Sequence, residues 1–156
     1  MAHIAQSEAF FSQVNILTAT GNYLTVLNNG GFDGDGTFSI STNRTHAGVY
    51  EMFTFIPLDP ANATFALQTF GGYFITAIDG GGIAGPGGID TDRNTPKAWE
   101  LIVMEKQSLG QFSLRTSSGH YVTAVNGGGV GGPGAINTNR NIVGPWEAFT
   151  FRIAQP

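Results

Sequence analysis

The chain of 156 residues contains three copies of one sequence repeat. Copies two and three are in constant register, because equivalent residues lie 47 positions apart, as Thr76 and Thr123 do, or Trp99 and Trp146. A unit of this length cannot bury an apolar face alone, so its copies must pack together. The repeat therefore predicts a body with threefold pseudo-symmetry. The predicted repeats cover about 14–59, 65–106 and 112–153 of a single domain, 1–156.

Each copy carries the pattern of short β-strands. Apolar and polar residues alternate with a period of two, a glycine suited to a hairpin turn follows, and a second alternating segment begins at once. The turn glycines are Gly21, Gly72 and Gly119. The 23 glycines of the chain oppose long helices, and closure of the strands into a barrel would remove exposed edges. We predict an all-β fold with four strands per repeat.

Composition excludes several classes of function. Charged residues make up 12% of the chain, the formal net charge is -4, and no cluster of Lys and Arg occurs, so the basic footprint of a nucleic-acid binder is missing. The absence of Cys excludes disulfides, thiolate metal sites and a cysteine nucleophile. No apolar stretch approaches the roughly 20 residues that span a bilayer, and no export signal is recognisable. We expect a soluble protein without membrane insertion, cytoplasmic as written or secreted if it is a module of a larger protein.

Two kinds of motif resemble cofactor or metal sites. The glycine runs at 80–85 and 127–132 match G-x-G-x-x-G, but each leads to a proline and another strand instead of a helix. Glycines that supply positive φ angles in a tight turn explain these runs. Asp33-Gly34-Asp35-Gly36 begins like a calcium loop, yet the remaining ligands and the closing glutamate are absent. The three histidines have no partner at i+4. The sequence predicts no cofactor and no metal.

The repeated acidic residues argue against catalysis. They are Glu51, Glu100 and Glu147, one in each copy at the same place. Acid–base catalysis by carboxyl groups needs two groups in different environments, and three equivalent groups do not provide them. No G-x-S-x-G elbow of a serine hydrolase occurs either. We predict that the protein is not an enzyme.

Three segments resemble the fascin-like group of β-trefoil domains. They are Gly119-His120-Tyr121-Val122-Thr123-Ala124, Asn126-Gly127-Gly128-Gly129 and Gly144-Pro145-Trp146-Glu147-Ala148-Phe149. The resemblance extends from about Val14 to Ile153 and implies a six-stranded barrel closed at one end by three hairpins. The group contains actin-bundling proteins with tandem trefoils, and family 92 of the carbohydrate-binding modules, single trefoils that bind β-glucans through one site per repeat. The chain is more similar to this second branch. We expect a monomer or a weak oligomer.

The resemblance also implies binding residues. In those modules a tryptophan and a glutamate of each repeat are associated with sugar binding. The matching pairs here are Trp99-Glu100, Trp146-Glu147 and, with tyrosine in place of tryptophan, Tyr50-Glu51. The first copy also has Val49 where the others have Ala98 or Pro145. Its site is therefore expected to be weak or altered.

A physical argument supports the same pairs. A pyranose presents an apolar face of C–H groups and a fringe of hydroxyls, so its site needs a flat aromatic ring beside a hydrogen-bond acceptor. Adjacent residues of a regular strand point to opposite faces, so both members of a pair can reach one ligand only from a turn or bulge. Further hydrogen bonds are expected from the first residue of each glycine-rich loop if the loops fold toward the rings; otherwise these side chains cap their own turns. They are Asn28, Asp79 and Asn126.

Several interpretations stay open at this point. The preferred one is a carbohydrate-binding protein, a lectin or carbohydrate-binding module, with up to three equivalent sites for β-glucan or glucose- and galactose-type glycans. The alternatives are an actin-binding or bundling fascin-like protein, a protease inhibitor that uses one exposed loop, and a packing motif in which the aromatic residue is buried and the glutamate accepts from backbone N–H groups. The repeated arginines are predicted to pair within each repeat and fix its loop. They are Arg44, Arg93 and Arg140.

Overall fold

The computed structural model describes residues 13–31, 40–83, 89–108, 110–131 and 135–154. It contains twelve β-strands, four in each repeat, as predicted. Repeat 1 holds β1 (Gln13–Leu17), β2 (Tyr23–Val26), β3 (Ile40–Arg44) and β4 (Phe53–Asp59); repeat 2 holds β5 (Thr64–Thr69), β6 (Phe74–Ala77), β7 (Ile89–Arg93) and β8 (Ile102–Lys106); repeat 3 holds β9 (Gln111–Arg115), β10 (Tyr121–Ala124), β11 (Ile136–Arg140) and β12 (Phe149–Ile153). The calcium-like stretch 33–36 lies outside the described residues.

Six of the strands form a closed antiparallel ring. The first and fourth strands of the repeats pair in the order β1, β4, β5, β8, β9 and β12, and β12 pairs again with β1 from Val14 opposite Ile153 to Leu17 opposite Thr150. The second and third strands of each repeat form a hairpin attached to this ring. Closure leaves the ring without a free strand edge.

The apolar positions of the alternating pattern meet inside the ring. Phe53, Ile102 and Phe149 occupy equivalent positions at the start of the fourth strands and are at most 2% exposed. Burial of a side chain of this size stabilises the fold by about 1.5 to 3 kcal/mol. The hairpins contribute a second layer of buried residues to the same core. Its members include Leu24, Val26, Ile40, Ile75, Ile89, Val122, Ala124 and Ile136.

Helical structure in the described residues is confined to three-residue 3-10 turns, so none of it is long and apolar enough to cross a membrane. Two such turns recur in every repeat. One follows the second strand and one precedes the fourth strand.

The glycine-rich loops join each repeat to the next. Each loop donates a backbone hydrogen bond to the third strand of the following repeat, at 2.5 to 2.6 Å: Gly31 N–H to Thr91 O, Gly82 N–H to Thr138 O, and Gly129 N–H to Thr42 O. The three acceptor threonines are fully buried. The third loop returns to the first repeat, so the bonds form a closed circle. The loops therefore serve packing between repeats, which agrees with the turn role predicted for their glycines.

Two neighbouring glycines offer a test of this packing. Gly128 and Gly129 have φ angles of 115° and 86°, so alanine is strained at both. A methyl group at Gly128 would overlap the Thr18 side chain and lie 2.8 Å from Thr20 Oγ1, whereas nothing lies within 4 Å of one at Gly129. We expect Gly128→Ala to lower the free energy of unfolding by about 2 kcal/mol more than Gly129→Ala in urea denaturation. Equal losses would show that backbone strain alone sets the cost.

Candidate functional site

The three aromatic–glutamate pairs lie in equivalent 3-10 turns immediately before the fourth strands. The turns are Val49–Glu51, Ala98–Glu100 and Pro145–Glu147. The residue before each turn has an extended backbone, and a glutamate at the third helical position can then fold back onto its N–H group. Pro145 at the first position has a fixed φ that suits such a start. The pairs therefore lie on turns, as two residues that share one ligand would require.

The glutamates nevertheless point inward. Glu100 Oε1 accepts a hydrogen bond from the Lys97 backbone N–H at 2.6 Å, and its Oε2 accepts one from the Thr76 hydroxyl at 2.6 Å. The other repeats repeat this arrangement at 2.6 to 2.7 Å: Glu51 with Gly48 N–H and Thr25, and Glu147 with Gly144 N–H and Thr123. All three glutamates are at most 2% exposed. The structure differs here from the expectation of surface acceptors, because these carboxyl groups are buried under the turn and occupied by the protein.

The aromatic rings lie on the opposite side of the turns. Trp146 is 36% exposed, and Tyr50 and Trp99 are partly exposed. The rings are therefore not core residues. The packing interpretation is wrong in this respect, because it expected the aromatic residue to be buried. Each buried glutamate fixes the turn that holds its ring at the surface.

Two of the repeated arginines lie beside these rings. The Arg93 guanidinium carbon is 5.6 Å from the centroid of Trp99, and that of Arg140 is 5.8 Å from the centroid of Trp146. These distances are within the range of a cation–π interaction. Arg93 and Arg140 thus each pair within their own repeat, as predicted, but the partner is the tryptophan ring. The shared 47-residue spacing of arginine and tryptophan was the sequence signal for this pair.

The guanidinium groups of Arg93 and Arg140 are exposed and form no ion pair within the described residues. The ion pair found in that part of the chain joins Arg115 Nε to Glu105 Oε2 at 2.8 Å. Glu105 also accepts a hydrogen bond from the Tyr121 hydroxyl at 2.7 Å, which raises the pKa of Tyr121. The arginines next to the rings therefore keep their N–H donors available to a ligand.

The glycine-rich loops approach the rings at their first residues. Asn28, Asp79 and Asn126 are exposed and have φ angles of 54° to 63° in the 3-10 turn after the second strand. In repeat 1 the Tyr50 hydroxyl donates to Asn28 Oδ1 at 3.4 Å. The loop start and the ring are therefore neighbours in this repeat. A role of these three side chains in binding stays a prediction.

The neighbouring repeat also borders the ring of repeat 3. A methyl group built at Gly127 would lie 3.5 Å from Trp146 Cδ1 and 3.3 Å from Thr20 Cγ2, so the two side chains flank one glycine. The Thr20 hydroxyl donates to Gly127 O at 2.7 Å. Thr20 belongs to the hairpin turn of repeat 1. Its contact with repeat 3 could not be predicted from the sequence, because no local pattern indicates it.

A groove of about 220 Å³ follows the turn of repeat 2. Its boundary consists of Arg93, Lys97, Ala98, Trp99 and Glu100. The described residues contain no group of three or more His, Asp and Glu side chains that could hold a metal ion. The groove therefore offers a mainly apolar surface beside the Trp99 ring.

Comparison with solved structures identifies the fold. The designed threefold-symmetric protein ThreeFoil is 12% identical, with a TM-score of 0.73 over 89% of this chain and 96% of that one. The BEL β-trefoil is 8% identical, with a TM-score of 0.70 over 92% of this chain and 93% of that one. The fold is a β-trefoil. No protein-family model and no curated protein sequence matches the chain.

Two further β-trefoil neighbours were solved with saccharides. SeviL, bound to the asialo-GM1 saccharide, is 10% identical, with a TM-score of 0.66 over 93% of this chain and 99% of that one. The Polyporus squamosus lectin, bound to Neu5Aca2-6Galb1-4GlcNAc, is 17% identical, with a TM-score of 0.67. This alignment covers 90% of the present chain and 48% of that lectin. Identities this low establish the shared fold alone.

Proposed function

We propose that this β-trefoil is a non-catalytic carbohydrate-binding protein with up to three sites, one on each repeat. Each site is centred on the aromatic ring of the 3-10 turn before the fourth strand. The ligands are β-glucans or glucose- and galactose-type glycans. The observation that carries the proposal is the repeated presentation of a partly exposed ring on a turn fixed by a buried glutamate.

The ring supplies most of the binding energy in this proposal. The C–H face of a pyranose packs on Trp99 or Trp146, and the exposed edges of the sugar meet polar groups. Arginine next to the ring contributes N–H donors in a rigid fork. Asn28 and Asn126 contribute amide groups that both donate and accept. A site of this composition recognises the hydroxyl fringe of a neutral sugar.

The glutamates have a positioning role in this proposal. Because Glu51, Glu100 and Glu147 each bind a backbone N–H group and a buried threonine, they preorganise the turn before the ligand arrives. Their contribution to affinity is therefore indirect. Repeat 1 differs because Tyr50 has a smaller ring and donates its hydroxyl to Asn28.

Two independent likenesses support the proposal. Three segments of the sequence resemble family 92 of the carbohydrate-binding modules, in which each repeat binds a sugar. SeviL and the Polyporus squamosus lectin carry saccharides on the same fold. Actin is the alternative partner that the fascin-like resemblance implies. The net charge of -4 offers little attraction to an acidic filament, and cosedimentation with filaments tests this alternative.

The proposal is tested by affinity electrophoresis through gels that contain soluble β-glucan or galactan, with a glycan array to widen the set of ligands. Trp99→Ala and Trp146→Ala are each expected to weaken the altered site about tenfold, the loss of roughly 1.5 kcal/mol of ring contact. Leu58→Ala is the control, because Leu58 is an apolar side chain on β4 with 41% exposure. No retardation on any glycan, or equal retardation of the folded tryptophan variants and the control, would remove the proposal.

A further inference from the structure

A cleft of about 410 Å³ opens on repeat 1, apart from the aromatic ring of that repeat. It lies between the segment that leads into the turn Val49–Glu51 and the paired strands β1 and β12. Tyr50 does not belong to its boundary. A concave space of this size suits a small organic ligand. Besides the segment 47–48, the residues that line it are Asn15, Tyr23, Val49, Met52, Arg152 and Ile153.

In repeat 3 the equivalent of the cleft tyrosine is paired with a carboxyl group of the protein. Glu105 occupies on β8 the position that Arg152 occupies on β12, 47 residues later. Glu105 Oε1 accepts a hydrogen bond from the Tyr121 hydroxyl at 2.7 Å, and its Oε2 accepts one from Arg115 Nε at 2.8 Å. Repeat 3 therefore supplies its own acid to this tyrosine.

Repeat 1 keeps the tyrosine but not the acid. Tyr23 begins β2 as Tyr121 begins β10, and Arg152 replaces the glutamate. Arg152 is exposed and forms no ion pair within the described part of the chain. The Tyr23 hydroxyl likewise forms no hydrogen bond with any residue that the structure describes. Two side chains on the boundary of the cleft thus keep free hydrogen-bond donors.

The surroundings of the cleft provide no free acid to neutralise the arginine. Among the elements that border it, which are β1, β2, the segment 47–52 and β12, the one acidic residue is Glu51. Glu51 is 2% exposed, and both of its oxygens accept hydrogen bonds from the protein. The neighbouring strand β3 adds Arg44 opposite Tyr23, whereas Asp59 is the last residue of β4. The local charge is therefore positive.

The remaining side chains of the boundary are mainly apolar. Val49 is 46% exposed and Ile153 is 65% exposed, and Met52 is partly exposed. A ligand that fills the cleft removes apolar surface from water. Asn15 is 6% exposed, and its Nδ2 already donates to Glu51 O at 2.8 Å. The free polar side chains of the cleft are therefore the tyrosine and the arginine.

We infer that this cleft binds a small carboxylic acid with an apolar body, at a second site separate from the aromatic rings. The carboxylate accepts from the Tyr23 hydroxyl and from Arg152, as Glu105 accepts from a tyrosine and an arginine in repeat 3. Charge-assisted hydrogen bonds of this kind are stronger than neutral ones, so they favour the ionised acid over an amide of the same shape. The apolar body packs on Val49 and Ile153. Binding here is independent of sugar binding at the rings.

Titration of isotope-labelled protein, followed by NMR, measures this binding and locates it. We expect phenylacetate and isovalerate to bind with dissociation constants of about 1 mM. Phenylacetamide has the shape of phenylacetate without its charge, so it is expected to bind at least about fivefold more weakly. The backbone amide signals of Gly48, Met52 and Ile153 are expected to shift. The signal of Gly144, which is the equivalent of Gly48 in repeat 3, is expected to stay in place.

An exchange of charge tests the arginine. Arg152→Glu gives repeat 1 the residue of repeat 3, and it is expected to weaken phenylacetate binding at least about tenfold. Lys106→Glu is the matched control, because Lys106 is exposed at the end of β8 and its exchange changes the net charge by the same amount. The control is expected to alter the affinity less than about twofold, since exposed charges far from the ligand are screened by salt.

Removal of one hydroxyl tests the tyrosine. Tyr23→Phe gives repeat 1 the residue of repeat 2, where Phe74 begins β6. It is expected to weaken phenylacetate binding about fivefold, because one hydrogen bond to a charged group is lost. Tyr121→Phe removes the equivalent hydroxyl of repeat 3, whose partner is Glu105, and is expected to leave the affinity for phenylacetate unchanged.

Several results would overturn the inference. They are equal affinity for phenylacetate and phenylacetamide, an equal effect of Arg152→Glu and Lys106→Glu, and signal shifts at the turns that carry the rings instead of at the cleft. Absence of binding of both acids at about 20 mM would overturn it as well. The glycan gel separates this site from the proposed function: Arg152→Glu is expected to leave retention unchanged, and a protein that binds no glycan is still expected to bind phenylacetate.

Discussion

Glu100→Ala is expected to lower the free energy of unfolding by about 3 kcal/mol. The substitution removes the acceptor of two hydrogen bonds of 2.6 Å, one from the Lys97 backbone N–H and one from the Thr76 hydroxyl. Thr76 is 0% exposed, so its hydroxyl has no water to replace the lost partner. Urea denaturation followed by circular dichroism measures this loss.

Two other substitutions provide matched controls. Glu100→Gln keeps one acceptor and adds an amide that can donate to the Thr76 hydroxyl, so it is expected to cost less than half as much as alanine. Glu105→Ala removes a glutamate that is 33% exposed and forms a surface ion pair with Arg115, which is expected to cost less than about 1 kcal/mol. If Glu100→Ala costs no more than Glu105→Ala, the buried glutamate does not hold the turn.

Removal of all three rings is expected to reduce retention on a glycan polymer at least about a hundredfold. In the proposed function, three sites on one body rebind a polymer at a high effective concentration, so the polymer is expected to be held more tightly than any single site allows. The triple variant Tyr50→Ala, Trp99→Ala and Trp146→Ala has no aromatic platform left on the turns. Affinity electrophoresis in a polysaccharide gel gives the retention of each variant.

Variants with one remaining ring separate valency from site strength. For a soluble monosaccharide, the affinity of the remaining site should equal that of the same site in the unaltered protein. On the polymer, the one-ring variants should lose most of the retention. Equal retention of one-ring and three-ring proteins would exclude cooperation between sites, and full retention of the triple variant would place the binding surface elsewhere.

The strands and the threefold symmetry were predictable because their signals are local and occur three times, whereas the β-trefoil was implied by the resemblance to a known family. The alternation of apolar residues predicted the strands, and Gly21, Gly72 and Gly119 marked the hairpin turns, where all three have φ angles of 84° to 92°. The constant spacing between Trp99 and Trp146 predicted the symmetry. These features need no knowledge of contacts between distant residues.

The direction of the glutamates was not predictable in the same way. A glutamate that follows an aromatic residue can accept hydrogen bonds either from a ligand or from the backbone of its own turn. Which of the two it does depends on partners elsewhere in the chain. The hydroxyl that binds Glu100 belongs to Thr76, which is 24 positions away. The regular recurrence of that threonine with the glutamate was a usable signal, since a buried pair must be preserved together in each copy. The partnership of Arg93 with Trp99 is of the same kind.

The circle of backbone hydrogen bonds between the glycine-rich loops and the third strands has a consequence for how the protein responds to a ligand. No repeat can detach without breaking a bond to each neighbour, from Gly31 to Thr91 on one side and from Gly129 to Thr42 on the other. Because the repeats are linked in this way, the free energy of binding at one site stabilises all three repeats against unfolding. Under the proposed function, a sugar bound to a single repeat is expected to raise the free energy of unfolding of the whole protein, the vacant repeats included.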